Sequence, residues 1–247
     1  MPEGPSIVIL KEQILKFKGK IVQSARGNAA INISSLKSKK ILDIRSWGKQ
    51  FFLLTNDFTV RIHLLMFGSY SLDEQTKPDR SLRLQLDFRN GKVFFYTCSV
   101  KMLGPDIYAL YDWEADVLSD SWKPLKARKK LKMIPETMVC DALLDQQIFA
   151  GSGNIIKNEV LYRIRLHPET KLGAIPSSKL TQLIREVRQY SFDFLDWKRN
   201  FMLRKHWLAY SRKICTRCNL PFTKKQCGST KRRTFFCTNC QVLYPAQ

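Results

Sequence analysis

Residues 81–96 read "SLRLQLDFRNGKVFFY". Leu82, Leu84, Leu86 and Phe88 alternate with polar residues, the period of a strand that buries one face. Asn90 and Gly91 then form the dipeptide that tolerates the positive φ of a tight hairpin turn, and "VFFY" leads the chain back. This stretch predicts two antiparallel strands. Upstream, residues 39–65, "KKILDIRSWGKQFFLLTNDFTVRIHLL", read as further strands interrupted at Asn56 and Asp57. Before them, "PSIVILKEQILKFK" (5–18) sets Ile7, Leu10, Ile14 and Phe17 near helical spacing, with Pro5 suited to a first turn. One helix followed by antiparallel strands argues for a β-sandwich.

Downstream the period changes. Residues 118–137, "LSDSWKPLKARKKLKMIPET", are strongly basic and break the strand rhythm, so a linker is expected there. Helical periodicity follows in "VCDALLDQQIFA" (139–150), "IIKNEVLYRIR" (155–165) and "SSKLTQLIREVRQYSFDFL" (177–195), the last opened by Ser177 or Ser178 as a cap. The expected class is α+β. Its parts are a β-sandwich domain over 1–120, a linker over 121–135, a helical domain over 136–210 and a cysteine-rich end over 211–247.

The charge balance narrows the partners. Against 42 Lys+Arg stand 21 Asp+Glu, a net charge of +21 in 247 residues. Such a field attracts polyanions, nucleic acid foremost and anionic membrane second. No apolar run approaches the roughly 18 residues of a spanning helix. Glu3 and the lack of an early basic stretch are unlike a signal peptide, so an intracellular protein is expected.

Of seven cysteines, four form "CTRC" (Cys215, Cys218) and "CTNC" (Cys237, Cys240), with eighteen residues between the knuckles. Such pairs bring four thiolates to a tetrahedron, the preference of structural zinc, and a site closed by four sulfurs has no position for water. One structural Zn2+ is expected, with Cys227 open as an alternative ligand. Between the knuckles "STKRRTFF" (229–236) suggests a ribbon turn whose Lys231, Arg232 and Arg233 face phosphate. In "AGSGNI" (150–155), glycines precede Asn154, a candidate cap for the next helix and part of an anion site.

Four separated pieces occur in order: "PEGP" (2–5), "GKQFFL" (48–53), "LLDQQIFAGSGNI" (143–155) and "RTFFCTNCQ" (233–241). The arrangement resembles the Fpg/Nei family of DNA glycosylases, which comprises formamidopyrimidine-DNA glycosylase and endonuclease VIII. The resemblance implies an N-terminal β-sandwich, a helix–two-turns–helix domain and a zinc finger. It implies that Pro2, freed of Met1, is the nucleophile that forms an iminium with the sugar. An N-terminal amine has an ordinary pKa near 8, so a useful fraction is neutral. Glu3 would carry protons, and Lys49 would touch phosphate and assist catalysis. Asn154 and Arg232 would grip the backbone beside the lesion. Leu65, Met66 and Phe67, in "HLLMFGSY" (63–70), would fill the space left by an extruded base. His63 in that run reads as structural.

"PEGP", and a short stretch between 193 and 218, lean towards the endonuclease VIII branch and oxidised pyrimidines as substrates. Ser6 stands where the family usually carries a second glutamate. The expected function is base excision repair by a bifunctional glycosylase and AP lyase, ending in β,δ-elimination. The implied partner is damaged duplex DNA, bound by a monomer without membrane or small-molecule cofactor in a bacterial-type, nucleoid-associated cytoplasm. Two alternatives stand beside it: a catalytically silent damaged-DNA binder of the same fold, and a glycosylase specific for formamidopyrimidine and 8-oxoguanine. An RNA-binding protein using the same helix motif would leave the N-terminal half unexplained.

Overall fold

The computed structural model describes residues 2–245, and the chain divides into two compact units after Asp112. In the first unit, helix α1 (Gly4–Ile14) buries Ile7, Leu10 and Ile14 completely. Pro5 stands in its first turn, where a missing N–H costs no helical bond. Two four-stranded antiparallel sheets follow. One contains β2 (Asp43–Trp47), β3 (Gln50–Leu54), β4 (Thr59–His63) and β8 (Ser99–Leu103), in the order β2-β3-β4-β8. The other contains β1 (Ser24–Arg26), β5 (Ser69–Leu72), β6 (Leu82–Phe88) and β7 (Gly91–Tyr96), in the order β1-β6-β7-β5.

The opening hairpin closes Phe88 against Gly91, and Leu86 faces Val93. Leu84, Leu86, Val93 and Phe95 of one sheet share a core with Ile44, Phe51, Leu53, Val60 and Ile62 of the other and with α1. Phe17, in a short turn of 3-10 helix after α1, stacks on Phe88 with ring centroids 4.3 Å apart.

The second unit corrects the expected boundaries. Residues 121–135 are not a linker: they carry α2 (Pro124–Lys132), whose Ala127 and Leu131 lie in the core together with Trp122. Its lysines are the solvated side of a short amphipathic helix, which composition alone mimics as a charge run. Likewise 136–210 and 211–247 are not separate in packing, because Cys227 and Phe236 belong to the core built by the helices.

"VCDALLDQQIFA" forms only the short helix α3 (Val139–Ala142), followed by two turns. Gln146 stabilises these turns instead of a helix. Its Nε2 donates to the carbonyls of Leu144 (2.8 Å) and Ser152 (3.1 Å), and its Oε1 accepts from the Gly151 N–H (3.0 Å). Helices α4 (Asn154–Arg163) and α5 (Ser177–Arg199) follow, then the hairpin of β9 (Thr223–Cys227) and β10 (Arg232–Phe236). Neither expected cap is one. The residues in the N-cap positions are Gly153 and Pro176, while Asn154 and Ser177 are already the first residues of their helices.

Candidate functional site

In the first unit the chain enters α1 through Pro2, half-buried, and Glu3, which has no accessible surface. Glu3 occupies the N-cap position with extended backbone (φ −119°, ψ 175°), and its carbonyl accepts the Ser6 N–H at 2.8 Å. Its side chain does not cap the helix. A carboxyl buried this fully must be bonded, because leaving it unpaired costs several kcal/mol. Met1, whose removal the sequence reading requires, lies outside the described residues.

Lys49 sits in the turn between β2 and β3, half-buried, after Gly48 at φ 52°. Its charge reaches His63, which pairs with Gln50 across the sheet. Burial, and then the Lys49 and Arg61 charges, push the His63 imidazole below its ordinary value. A neutral ring leaves Nδ1 an acceptor, and it takes the Leu65 N–H at 3.0 Å. His63 thus anchors the loop that follows.

That loop exposes Leu65, Met66 and Phe67 by 49%, 48% and 77%. Three large apolar side chains in succession are therefore presented to solvent, not buried as strand residues. Gly68 closes the loop by donating its N–H to the Leu64 carbonyl at 2.7 Å. A Cβ at Gly68 would collide with that same carbonyl oxygen, so the turn admits only glycine.

In the second unit α4 is buried all round, polar residues included, because one side of it is bonded to the cysteine ribbon. Asn154 Nδ2 donates to the Arg233 carbonyl at 3.0 Å, while its buried Oδ1 has no hydrogen-bond partner among the described residues. Asn158 Oδ1 accepts the Phe235 N–H at 2.7 Å. Glu159 accepts the consecutive N–H groups of Leu208, Ala209 and Tyr210 at 2.7–3.1 Å. Tyr162 places its hydroxyl 3.3 Å from Cys215 Sγ.

Lys157, without accessible surface, donates to Thr234 Oγ1 at 2.8 Å, and Thr234 donates in turn to the Arg232 carbonyl at 3.0 Å. Sequence periodicity missed these residues, since polar side chains on an internal helix read as a solvated face. The "GNIIKNE" run, polar at every third or fourth place, was the available signal. Arg232 opens β10, half-buried, close enough for its charge to act on Lys157.

Burial brings the Lys157 ammonium down to about 8. Between that value and the unfolded lysine value of about 10.4, the unfolded chain keeps a proton that the folded protein has released. Stability from this group is therefore full above the unfolded value and is lost as pH falls through about 8. Lys157→Met removes the titration. Raising the pH from 7 to 10 is expected to shift the difference in unfolding free energy in favour of the wild type by roughly 2–3 kcal/mol. A pH-independent difference in urea melts would contradict this.

The sulfurs of Cys215, Cys218, Cys237 and Cys240 all lie within 4.8 Å of one another, and Cys227 is not among them. Cys227 packs in the helical core instead. A tetrahedron with metal–sulfur bonds of about 2.3 Å has edges of about 3.8 Å. Cys215 Sγ and Cys240 Sγ are 3.8 Å apart, which suits a shared ion and is far too long for a disulfide. The four cysteines can hold a metal. Asn154, Arg232 and the four cysteines thus belong to the second unit, and Pro2, Glu3, Lys49 and the exposed loop to the first.

Two family models match side by side. The formamidopyrimidine-DNA glycosylase N-terminal domain matches residues 1–102, and the formamidopyrimidine-DNA glycosylase H2TH domain matches residues 115–190. Endonuclease 8-like 3 of Xenopus laevis is 27% identical over 95% of the chain, which spans 40% of that relative's length. Formamidopyrimidine-DNA glycosylase of Ligilactobacillus salivarius is 28% identical, with 98% of this chain and 99% of that one covered. The fold is that of the Lactococcus lactis formamidopyrimidine-DNA glycosylase crystallised with DNA containing an AP site. That comparison gives a TM-score of 0.85 at 21% identity over 97% of this chain and 99% of that one. Matched from its first strands through its helix–two-turns–helix, the chain belongs to the Fpg/Nei family of DNA glycosylases.

Proposed function

We propose that the protein is a base excision repair enzyme, a bifunctional DNA glycosylase and AP lyase acting on oxidised bases in duplex DNA, pyrimidines preferred. The observation that carries this reading is the fully buried Glu3 carboxyl placed next to Pro2 at the mouth of α1. With Met1 removed, the Pro2 nitrogen attacks C1′ of the damaged nucleotide and the C1′–base bond breaks. The departing base takes a proton, and Glu3 is the group that moves protons at the ring oxygen and the amine. With a proton delivered to O4′, the C1′–O4′ bond breaks, the sugar ring opens, and the lone pair of the now tertiary nitrogen forms the C1′ iminium. That cation accepts the electron pair left when a C2′ proton is removed, and the 3′ phosphate leaves, then the 5′ phosphate. Hydrolysis of the iminium returns the free amine.

Lys49, Asn154 and Arg232 hold phosphate oxygens, contacts that position a strand without reading its sequence. Leu65, Met66 and Phe67 enter the stack where the base has left. One zinc ion bound by the four cysteines builds the ribbon that carries Arg232 and takes no part in the chemistry. The endonuclease VIII branch, from which the pyrimidine preference is drawn, is supported by the endonuclease 8-like relative. It is also supported by the short path from α5 to Cys215, which contains one turn of helix at Leu203–His206. The enzyme is read as a monomer acting on chromosomal DNA in a cytoplasm.

Borohydride reduction of the protein on duplex DNA with an abasic site tests the reading. The expected product is a covalent adduct whose linkage maps to Pro2. No adduct on any damaged substrate would instead favour a silent damaged-DNA binder. Arg232→Ala should weaken binding equally on all sequences and lower the salt slope by roughly one counterion. A loss confined to one sequence context would contradict the phosphate role.

A further inference from the structure

The second unit carries a groove that the reaction does not use. It runs between α2 and α5, has a volume of about 530 Å³, and is floored by Trp122 and Ile184 with Leu125 and Phe192 on its walls. Leu125 is 79% exposed and Phe192 39% exposed, so the walls are apolar surface left open to water. Burying it against a partner is favourable, since apolar area then leaves water.

The rim is set with three arginines, two of them held in place by neutral partners. Arg128 donates to Thr181 Oγ1 (2.7 Å) and Ser177 Oγ (2.5 Å). Arg188 donates to the carbonyls of Val117 (3.1 Å) and Ser119 (3.0 Å), and its guanidinium lies 5.1 Å from the Phe192 ring centre. Arg185 is exposed beside them. Among the described residues none of the three pairs with a carboxylate. Nearby acids are engaged elsewhere: Glu186 faces Arg163, and Asp193 accepts from Gln189. Ordered guanidinium groups around an apolar floor, with no anion of their own chain, suit carboxylates that flank an apolar anchor.

We propose that this groove docks an acidic segment of a partner protein, with one or two bulky apolar side chains inserted between α2 and α5 and flanking Asp or Glu residues on Arg128, Arg185 and Arg188. A second copy of the chain is disfavoured, since each copy carries a net charge of +21. A nucleic-acid backbone would meet the arginines but gain nothing from covering Leu125 and Ile184.

The test uses the full-length protein and a short fluorescein-labelled peptide carrying one Leu and one Phe among Asp and Glu residues, read by anisotropy. Saturable binding is expected. It should weaken about tenfold or more in Leu125→Asp and in Arg185→Glu, and by a similar factor when serine replaces the peptide's Leu and Phe. Both substituted residues are solvent-exposed, so thermal melts of the variants should match the wild type. Five results would overturn the proposal, four of them in the peptide assay. They are no saturable binding, equal binding of the serine peptide, equal binding by both variants, or displacement of the peptide by a single-stranded oligonucleotide whose own binding falls in the same variants. Self-association abolished by Leu125→Asp would overturn it too, in favour of an interface between copies.

Discussion

Glu3→Gln is expected to lose damaged-base release by roughly a thousandfold, within the span that general acid–base catalysis supplies. Glutamine matches glutamate in size, so a position with no accessible surface can take it without a cavity or an overlap. The helix cap is not disturbed, because the Glu3 side chain does not serve it and the Ser6 N–H bonds to the backbone carbonyl. What the amide lacks is a proton that can be passed and taken back. DNA affinity, which the proposed function assigns to Lys49, Asn154 and Arg232, should stay within a fewfold of wild type. On DNA whose base is already missing, borohydride should still trap the variant through Pro2, since amine attack on an open sugar needs no base departure. Base release at the wild-type rate would remove Glu3 from the chemistry, and loss of trapping and affinity together would point to misfolding.

Stripping the metal, or Cys218→Ser, is expected to abolish tight DNA binding and lower the melting temperature of the second unit. Structural zinc contributes on the order of 10 kcal/mol to the folding of small fingers. Here the loss would spread, because α4 is bonded to the ribbon along its length. Asn154 would lose the Arg233 carbonyl, Asn158 the Phe235 N–H, and Lys157 the Thr234 hydroxyl. The face of α4 that the ribbon covers would be opened to water, together with the part of the core closed by Cys227 and Phe236, which loosens the helical unit. The first unit, which has its own core, should melt as before. The measurements are metal content, a two-step thermal melt and DNA binding of the metal-free protein. Full DNA affinity in protein verified to be metal-free would contradict the role given to the ribbon.

Strand alternation over 81–96 and the Asn90–Gly91 turn announced the hairpin because each is local: period and turn dihedral are set within a few residues. The cysteine knuckles were legible for the same reason, as ligand spacing is a local property. Where partners are distant, pattern misled. Lysines of α2 read as a linker because a solvated helix face and an unstructured run share one composition. Asn154 read as a cap because Asn at a helix start usually is one, whereas here its side chain bonds the Arg233 carbonyl in the ribbon. The period of α4 was legible, but its polar side chains read as a solvated face because their partners in the ribbon are 77–79 residues away in sequence.

By itself the amino-acid order determined the α+β class, the four-sulfur cluster, the polyanion-seeking charge and the candidate Pro2–Glu3 terminus, all of which depend on residue type and near-neighbour spacing. Only the tertiary structure decided that Glu3 is sealed from solvent, that Leu65, Met66 and Phe67 are exposed, and that Cys227 belongs to the core. The reason is that burial and hydrogen-bond satisfaction are properties of segments far apart in sequence, and they exist only after those segments have packed.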